Sequence, residues 1–152
     1  MRQNRRPALW AALALLFLCG CGTDAVPEAR RSVALVAKST ETEFWLSAFA
    51  GAQAAAAEYN LELTISGPGT EEDYETQNKM IAQAVENGAE VIVFSAIDYE
   101  RNAEAVDAAA QAGVGIVSID SGVGSDQVST YIGTDNYAAG QMAARAALEG
   151  VE

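Results

Sequence analysis

The 152-residue sequence contains no histidine and only two cysteines, Cys19 and Cys21, both near its start. Beyond them the chain has no residues for an internal disulfide, for a zinc or haem site of the usual kind, or for a cysteine–histidine catalytic pair. It also lacks a G-x-G-x-x-G motif or another phosphate-binding loop after its first strand-like run. We therefore expect a protein that is not an enzyme and that uses no metal and no cofactor.

Basic residues are also scarce, because nine Lys and Arg stand against 21 Asp and Glu. Three of the nine, Arg2, Arg5 and Arg6, lie in the first 20 residues, so the rest of the chain is more acidic still. A strongly acidic protein is repelled by a phosphate backbone. Nucleic acid is therefore not an expected partner.

The apolar run at residues 8–18 is about half the length that a helix needs to span a bilayer. It follows the three arginines and precedes Cys19-Gly20-Cys21, which predicts a secretory signal peptide over residues 1–20. Leu18-Cys19-Gly20-Cys21 resembles a bacterial lipobox. The resemblance implies a lipidated Cys21, a tether over residues 21–31 and a membrane-anchored, extracytoplasmic location in the cell envelope. Cleavage that leaves Cys21 as a free or intermolecular thiol is the alternative.

Short apolar runs recur after residue 32 at intervals of about 25 to 30 residues, with room for one strand, one helix and two loops in each. They begin near Val33, Leu61, Val91 and Ile116. A fifth strand is predicted at Val128–Ile132. Gly88 and Gly113 each stand between a predicted helix and a strand, where a left-handed residue lets the chain turn back. The pattern predicts an α/β fold with an open parallel sheet of about five strands and helices on both faces.

Capping signals predict where the helices begin. Thr40 and Glu43 have the spacing of a capping box, so the first helix should start near these residues. Thr70 stands three residues before Asp73, which is a looser signal for the second helix. A last helix is predicted at Tyr137–Leu148.

Charged residues end three of the predicted strands, namely Lys38, Asp98 and Asp120. The carboxyl ends of parallel strands share one edge of a sheet, where open α/β folds bind their ligands. For Asp98 we favour N-capping of the third helix. For Asp120, which precedes a glycine-containing turn, we favour ligand binding over turn formation.

Phe44 and Trp45 are adjacent in the first turn of the first predicted helix, close after Lys38 and Thr42. Aromatic faces can stack on sugar C–H groups, while charged and hydroxyl groups bind sugar hydroxyls. Trp45 and Phe49 also begin an apolar stripe on this helix, which continues with Ala52, Ala56 and Tyr59. The aromatic pair is thus a candidate for a sugar site, with a place in the core as the alternative.

Several segments between Ser32 and Gly150 together resemble the periplasmic-binding-protein-like sugar receptors of ABC importers, of the ribose- and arabinose-binding type. The matching segments read VALVAKSTETEFW, GAQAAAAEY, NGAEVIVFS, QAGVGIVSIDS and YIGTDNYAAG. The resemblance implies the flavodoxin-like strand order 2-1-3-4-5 and capture of a monosaccharide, a pentose or hexose, for delivery to an ABC permease. The alternative is a receptor that presents a sugar or autoinducer to a membrane sensor.

The resemblance also implies site residues and a division into lobes. A lysine at position 38 resembles the arabinose-binding branch, whereas the ribose-binding branch tends to have a serine there. Ser121 stands where the ribose-binding branch has an arginine. The family has two lobes, so we expect residues 32–133 to form the N-terminal lobe. Residues 134–152 would form the hinge crossing and the first helix of a C-terminal lobe absent from the sequence. The implied sugar-binding residues are Lys38, Thr42, Phe44, Trp45, Asp120 and Ser121, and the implied hinge residues are Thr134, Asp135 and Asn136.

Overall fold

The computed structural model describes residues 29–150, so the predicted signal peptide and Cys21 lie outside the described residues. Strands and helices alternate through most of this part of the chain. The strands are β1 (Ser32–Val36), β2 (Glu62–Ser66), β3 (Val91–Phe94), β4 (Gly115–Ile119) and β5 (Val128–Ile132). The helices are α1 (Glu43–Glu58), α2 (Tyr74–Glu86), α3 (Ala103–Gln111) and α4 (Asn136–Glu149). All five predicted strands are confirmed.

The five strands are parallel and lie in the order β2-β1-β3-β4-β5, which confirms the predicted fold class. The order reverses at β1, because β2 lies on one side of it and β3 to β5 lie on the other. The carboxyl ends of β1 and β3 therefore flank the switch point at which folds of this kind bind ligands.

One face of the sheet packs against α2 and α3. Val36 and Phe94 point to this face and are completely buried, with Ile81 of α2 and Val106 of α3 in the same cluster. Full burial of an apolar side chain of this size contributes about 1.5–3 kcal/mol. This cluster is the larger part of the core and holds β1 and β3 in place.

The opposite face packs against α1. Leu35 and Ala37 alternate with the residues that face α2, as expected for a strand, and contact Trp45 and Phe49 of α1. Tyr59, at the end of the predicted α1 stripe, is exposed, whereas the start of the stripe is confirmed as buried at Trp45 and Phe49. Its burial positions the loop between β1 and α1 above the carboxyl edge of the sheet.

Two helices have an N-cap residue that lies slightly later in the chain than the predicted one. α1 is capped by Thr42 rather than Thr40, and the Thr42 hydroxyl accepts a bond from the Trp45 N–H at 3.5 Å. α2 is capped by Asp73, whose carboxylate accepts from the Thr76 N–H at 2.9 Å. Thr70 is not the cap, because it lies in the turn between β2 and α2.

The prediction that Asp98 caps the third helix is wrong by one turn. The N-cap of α3 is Asn102, and Asp98 instead accepts bonds from the backbone N–H groups of Glu100 and Arg101. These bonds, with that of Arg101 the largest cause, lower the pKa of Asp98. An additional turn between β3 and α3 separates Asp98 from the helix.

Gly88 and Gly113 have φ values of +80° and +91°, which confirms their left-handed conformation after α2 and α3.

α4 differs from the other helices because none of its residues is buried. Tyr137, Met142 and Leu148 are exposed along it. Among the helices of residues 29–150, none has both the length and the hydropathy of a membrane span.

Candidate ligand-binding site

Three strands deliver polar side chains to one point at the carboxyl edge of the sheet. Lys38 follows β1, and its Nζ lies 3.1 Å from Oδ2 of Asp120, which follows β4. Ser95 follows β3, and its hydroxyl donates to the same carboxylate oxygen at 3.3 Å. The Ser121 hydroxyl also donates to Oδ2 at 3.3 Å. The structure thus brings the predicted residues Lys38, Asp120 and Ser121 together and adds Ser95.

This cluster is partly shielded from solvent. The side chain of Lys38 is 18% exposed and that of Asp120 is 39% exposed. A pair at this depth contributes little to folding stability, because water still screens the attraction. Its charges are nevertheless held in fixed positions, and among residues 29–150 the second oxygen of Asp120, Oδ1, has no hydrogen-bond donor. A ligand hydroxyl can therefore donate to it.

The backbone of Asp120 is in the left-handed region, with φ +58°. Asp and Asn tolerate this region better than most residues. The Asp120 N–H donates to the carbonyl of Ile132 at 2.9 Å, and the Tyr131 hydroxyl donates to the carbonyl of Asp120 at 2.8 Å. Asp120 therefore does form a turn, and β5 holds that turn so that the carboxylate is directed towards Lys38.

The two predicted aromatic residues have different environments. Phe44 is 59% exposed, whereas Trp45 is 1% exposed and donates its indole N–H to Glu71 at 2.9 Å. Their rings meet edge to face, with centroids 5.0 Å apart. Trp45 is therefore a core residue that packs against Phe44. Phe44 is the ring whose surface a ligand can reach.

Phe44 and Asp120 share an open cleft of about 350 Å³. Its remaining walls come from α1, the end of β4 and the segment after β5. The lining residues are Phe44, Trp45, Ala48, Ile119, Asp120, Ile132, Gly133 and Thr134. The cleft therefore combines an apolar surface with the charged cluster at its rim.

Thr42 and the predicted hinge residues lie at or next to the starts of helices α1 and α4. Thr42 is the N-cap of α1, and Asp135 is the N-cap of α4, where it accepts from the Ala138 N–H at 2.9 Å. Thr134 lines the cleft and Asn136 is the first residue of α4. The hinge role of residues 134–136 stays a prediction.

Gln77, which was not among the predicted site residues, is completely buried beneath this cluster. Its side-chain amide donates to the carbonyls of Ala37 and Ser95, both at 2.9 Å, and accepts from the Ile97 N–H at 3.1 Å. A signal was present, because Gln77 lies four residues before Ile81 on the apolar face of α2. A long amide on such a face indicates buried polar groups within its reach.

The arrangement suits hydrogen bonding to a polyhydroxyl ligand more than metal binding. In the part of the chain that the structure describes, no three His, Cys, Asp or Glu side chains are grouped so that they could hold a metal ion. Lys38 is a donor, Asp120 an acceptor, and the serine hydroxyls can act as either. The ring of Phe44 adds the apolar face that a sugar ring can contact.

Comparison with known proteins identifies the family. Residues 33–152 match a family described as periplasmic binding protein domain, whereas no curated protein matches the chain. Among solved structures, a sugar transporter from Clostridium phytofermentans is 34% identical, with a TM-score of 0.70 over 73% of this chain and 42% of that one.

Two further structures contain sugars. A carbohydrate transporter solute binding protein from Agrobacterium radiobacter, in complex with D-arabinose, is 29% identical, with a TM-score of 0.75 over 80% of this chain and 42% of that one. An ABC transporter solute binding protein from Agrobacterium vitis, with bound D-fucose, is 30% identical, with a TM-score of 0.73 over 79% of this chain and 43% of that one. The chain thus spans less than half the length of these relatives.

The family consists of binding proteins rather than enzymes, which agrees with the prediction from the missing catalytic residues. The sheet order agrees with the predicted resemblance. With a match over residues 33–152, the chain belongs to the periplasmic binding protein domain family.

Proposed function

We propose that this chain is the sugar-binding part of a substrate-binding protein that captures a monosaccharide for an ABC permease. The observation that carries the proposal is the convergence of Lys38, Ser95 and Ser121 on Asp120 beside the exposed ring of Phe44. Such a cluster offers donors and acceptors for neighbouring sugar hydroxyls and an apolar surface for the sugar C–H groups. Binding alone is the function, with no chemical change to the sugar.

Each residue has a defined role in this proposal. Asp120 accepts bonds from two sugar hydroxyls at Oδ1, and Lys38 donates to a sugar oxygen. The one hydrogen of the Ser121 hydroxyl is directed to Oδ2, so Ser121 accepts from a sugar hydroxyl. Hydrogen bonds to charged groups contribute about 1.5–3 kcal/mol each. Phe44 stacks on the sugar ring, and Trp45 and Thr42 act indirectly by fixing the first turn of α1.

The ligand class is a pentose or hexose. The two relatives with D-arabinose and D-fucose support this choice, since both ligands are monosaccharides.

We assign residues 32–133 to a sugar-binding lobe and Thr134, Asp135 and Asn136 to a hinge. The sugar would be enclosed between this lobe and a second one that closes over the cleft. Two observations support this arrangement: the cleft is open beside Phe44 and Thr134, and α4 has no buried residue among those described.

We also propose that the protein is a lipoprotein of the cell envelope. Residues 1–20 would be removed as a signal peptide, Cys21 would carry the lipid, and the residues up to 31 would tether the lobe to the membrane. The order of the arginines, the apolar run and Leu18-x-Gly20-Cys21 supports this assignment.

The function is tested on the intact protein, meaning this lobe together with the proposed second lobe. Its thermal unfolding is measured with a panel of pentoses and hexoses, including D-arabinose and D-fucose, and calorimetry follows. A cognate sugar at about 100 times its Kd should stabilise the protein by about 2.7 kcal/mol. Stabilisation by amino acids or nucleosides, and by no sugar, would contradict the proposal. A sugar that binds without raising ATP hydrolysis by the reconstituted permease would favour the alternative of a receptor for a membrane sensor.

A further inference from the structure

Gln77 connects the two strand ends at the switch point of the sheet. Ala37 is the first residue after β1, and Ser95 is the first residue after β3. The Gln77 amide donates to the carbonyls of both residues, and its oxygen accepts from the N–H of Ile97. All three bonds are made by one side chain with no exposed surface.

These bonds lie directly behind the ligand-binding cluster. The carbonyl of Ala37 belongs to the peptide that leads into Lys38, and Ser95 itself donates its hydroxyl to Asp120. A shift of either strand end would therefore move a group that contacts the carboxylate. Buried carbonyls need a partner, so Gln77 leaves the two ends little freedom to separate.

Gln77 is itself held in place by the start of α2. Its N–H donates to the carbonyl of Asp73 at 3.2 Å, and the Asp73 carboxylate caps the helix one residue earlier, at Thr76. The Cα position of Gln77 is thus determined by a capped helical turn. A rigid helix end supports a precise site better than a loop does.

We propose that Gln77 is a positioning residue for the sugar site, holding the ends of β1 and β3 so that Lys38 and Ser95 converge on Asp120. This inference rests on the proposed sugar-binding function. Gln77 does not contact the ligand in this account. Its effect on affinity passes through the backbone of Ala37 and Ser95.

The chain contains a matched control for this idea. Asn102 is also a completely buried amide, and it accepts from the Asp98 N–H at 2.8 Å and donates to Asn78 at 2.7 Å. Its bonds join the start of α3 to α2 and involve neither Ala37 nor Ser95. Loss of either amide should lower stability, but only loss of Gln77 should disturb the sugar site.

The test compares Gln77→Met and Asn102→Leu in the intact protein by calorimetry with D-arabinose and D-fucose, at a temperature where both variants are folded by circular dichroism. We expect Gln77→Met to weaken binding about tenfold or more and Asn102→Leu to leave Kd unchanged, although both lower Tm. An unchanged Kd in folded Gln77→Met overturns this inference alone. Failure of the wild-type protein to bind these two sugars or any other sugar of the panel overturns it together with the proposed function.

Gln77→Glu supplies a second readout if the methionine variant does not fold. The protonated acid can donate to one of the two carbonyls, whereas the ionised form places a negative charge against both. Neither form supplies both donors, so the sugar affinity of this variant should be weaker than that of wild type at the same pH. An affinity equal to that of wild type in the folded Gln77→Glu protein would overturn the inference.

Discussion

Lys38 and Asp120 form an ion pair across the end of β3, although their strands, β1 and β4, are not neighbours in the sheet. The lysine side chain spans the intervening strand, and Ser95 at the end of that strand donates to the same carboxylate oxygen. The pair therefore ties three strand ends together above the switch point. In the proposed function, a sugar would bind to charges that the protein already holds in position, which lowers the entropic cost of binding.

Replacement of Asp120 should strongly weaken sugar binding. Asp120→Asn keeps a residue that tolerates the left-handed backbone but removes the charge that two sugar hydroxyls and Lys38 would share. Loss of two charge-assisted bonds should weaken binding about a hundredfold or more, as measured by calorimetry on the intact protein. Asp126→Asn, on the exposed loop before β5, is the matched control. Equal Kd values for the two variants would remove Asp120 from the site.

Gly133 should be needed for the stability of the Asp120 turn, because the Tyr131 side chain passes over Gly133 to reach the carbonyl of Asp120. A methyl group at position 133 would overlap the Tyr131 hydroxyl. We expect Gly133→Ala to lower the free energy of unfolding by about 1 kcal/mol, the value of one hydrogen bond, and to weaken sugar binding as the Asp120 turn relaxes.

A double-mutant cycle in urea separates this contact from a general effect of the glycine. In a Tyr131→Ala background, Gly133→Ala should cost much less, because the overlapping ring is gone. Gly140→Ala, in the exposed helix α4 with no atom near the new methyl group, should be neutral or slightly stabilising. Additive effects of the Tyr131 and Gly133 changes would contradict the contact.

The start of α2 should lose stability in acid. Hydrogen bonds with Thr76, first of its side chain and then of its backbone, lower the pKa of Asp73 below the ordinary value of 3.8. Because the folded pKa lies below the unfolded one, this contribution is complete above the ordinary value and disappears as the pH falls through the folded value. Asp73→Asn keeps a capping oxygen without the titration. Its urea midpoint should therefore depend less on pH than that of wild type between about pH 5 and pH 2, and an identical dependence would refute the prediction.

Cys21→Ser should release the protein from membranes if the proposed lipid anchor is correct. The measurement is fractionation of cells into membrane and soluble parts, with mass spectrometry of the processed N-terminus. Cys19→Ser is the matched control, because Cys19 precedes the predicted cleavage site and is not the acceptor. Retention of the Cys21→Ser protein in membranes would count against lipidation.

Local sequence patterns are sufficient to predict several features of the fold. Each strand is a short apolar run, so β1 to β5 could be located within about two residues of their observed ends. Gly88 and Gly113 were predictable because only a left-handed residue lets a helix return so quickly to a strand. Burial of Trp45 was also within reach, since Trp45 and Phe49 share a helical stripe that excludes Phe44.

The groups that surround Asp120 depend on how the strands assemble in the folded chain. Gln77 lies 40 residues from Ala37 and 18 from Ser95, and Ser95 lies 25 residues from Asp120. No periodicity links residues at such separations, because their contact depends on which strands become neighbours in the sheet. The turn between β3 and α3 was missed for a related reason: a carboxylate caps whichever N–H groups the folded chain brings to it, and Asp98 meets those of Glu100 and Arg101 before the helix begins.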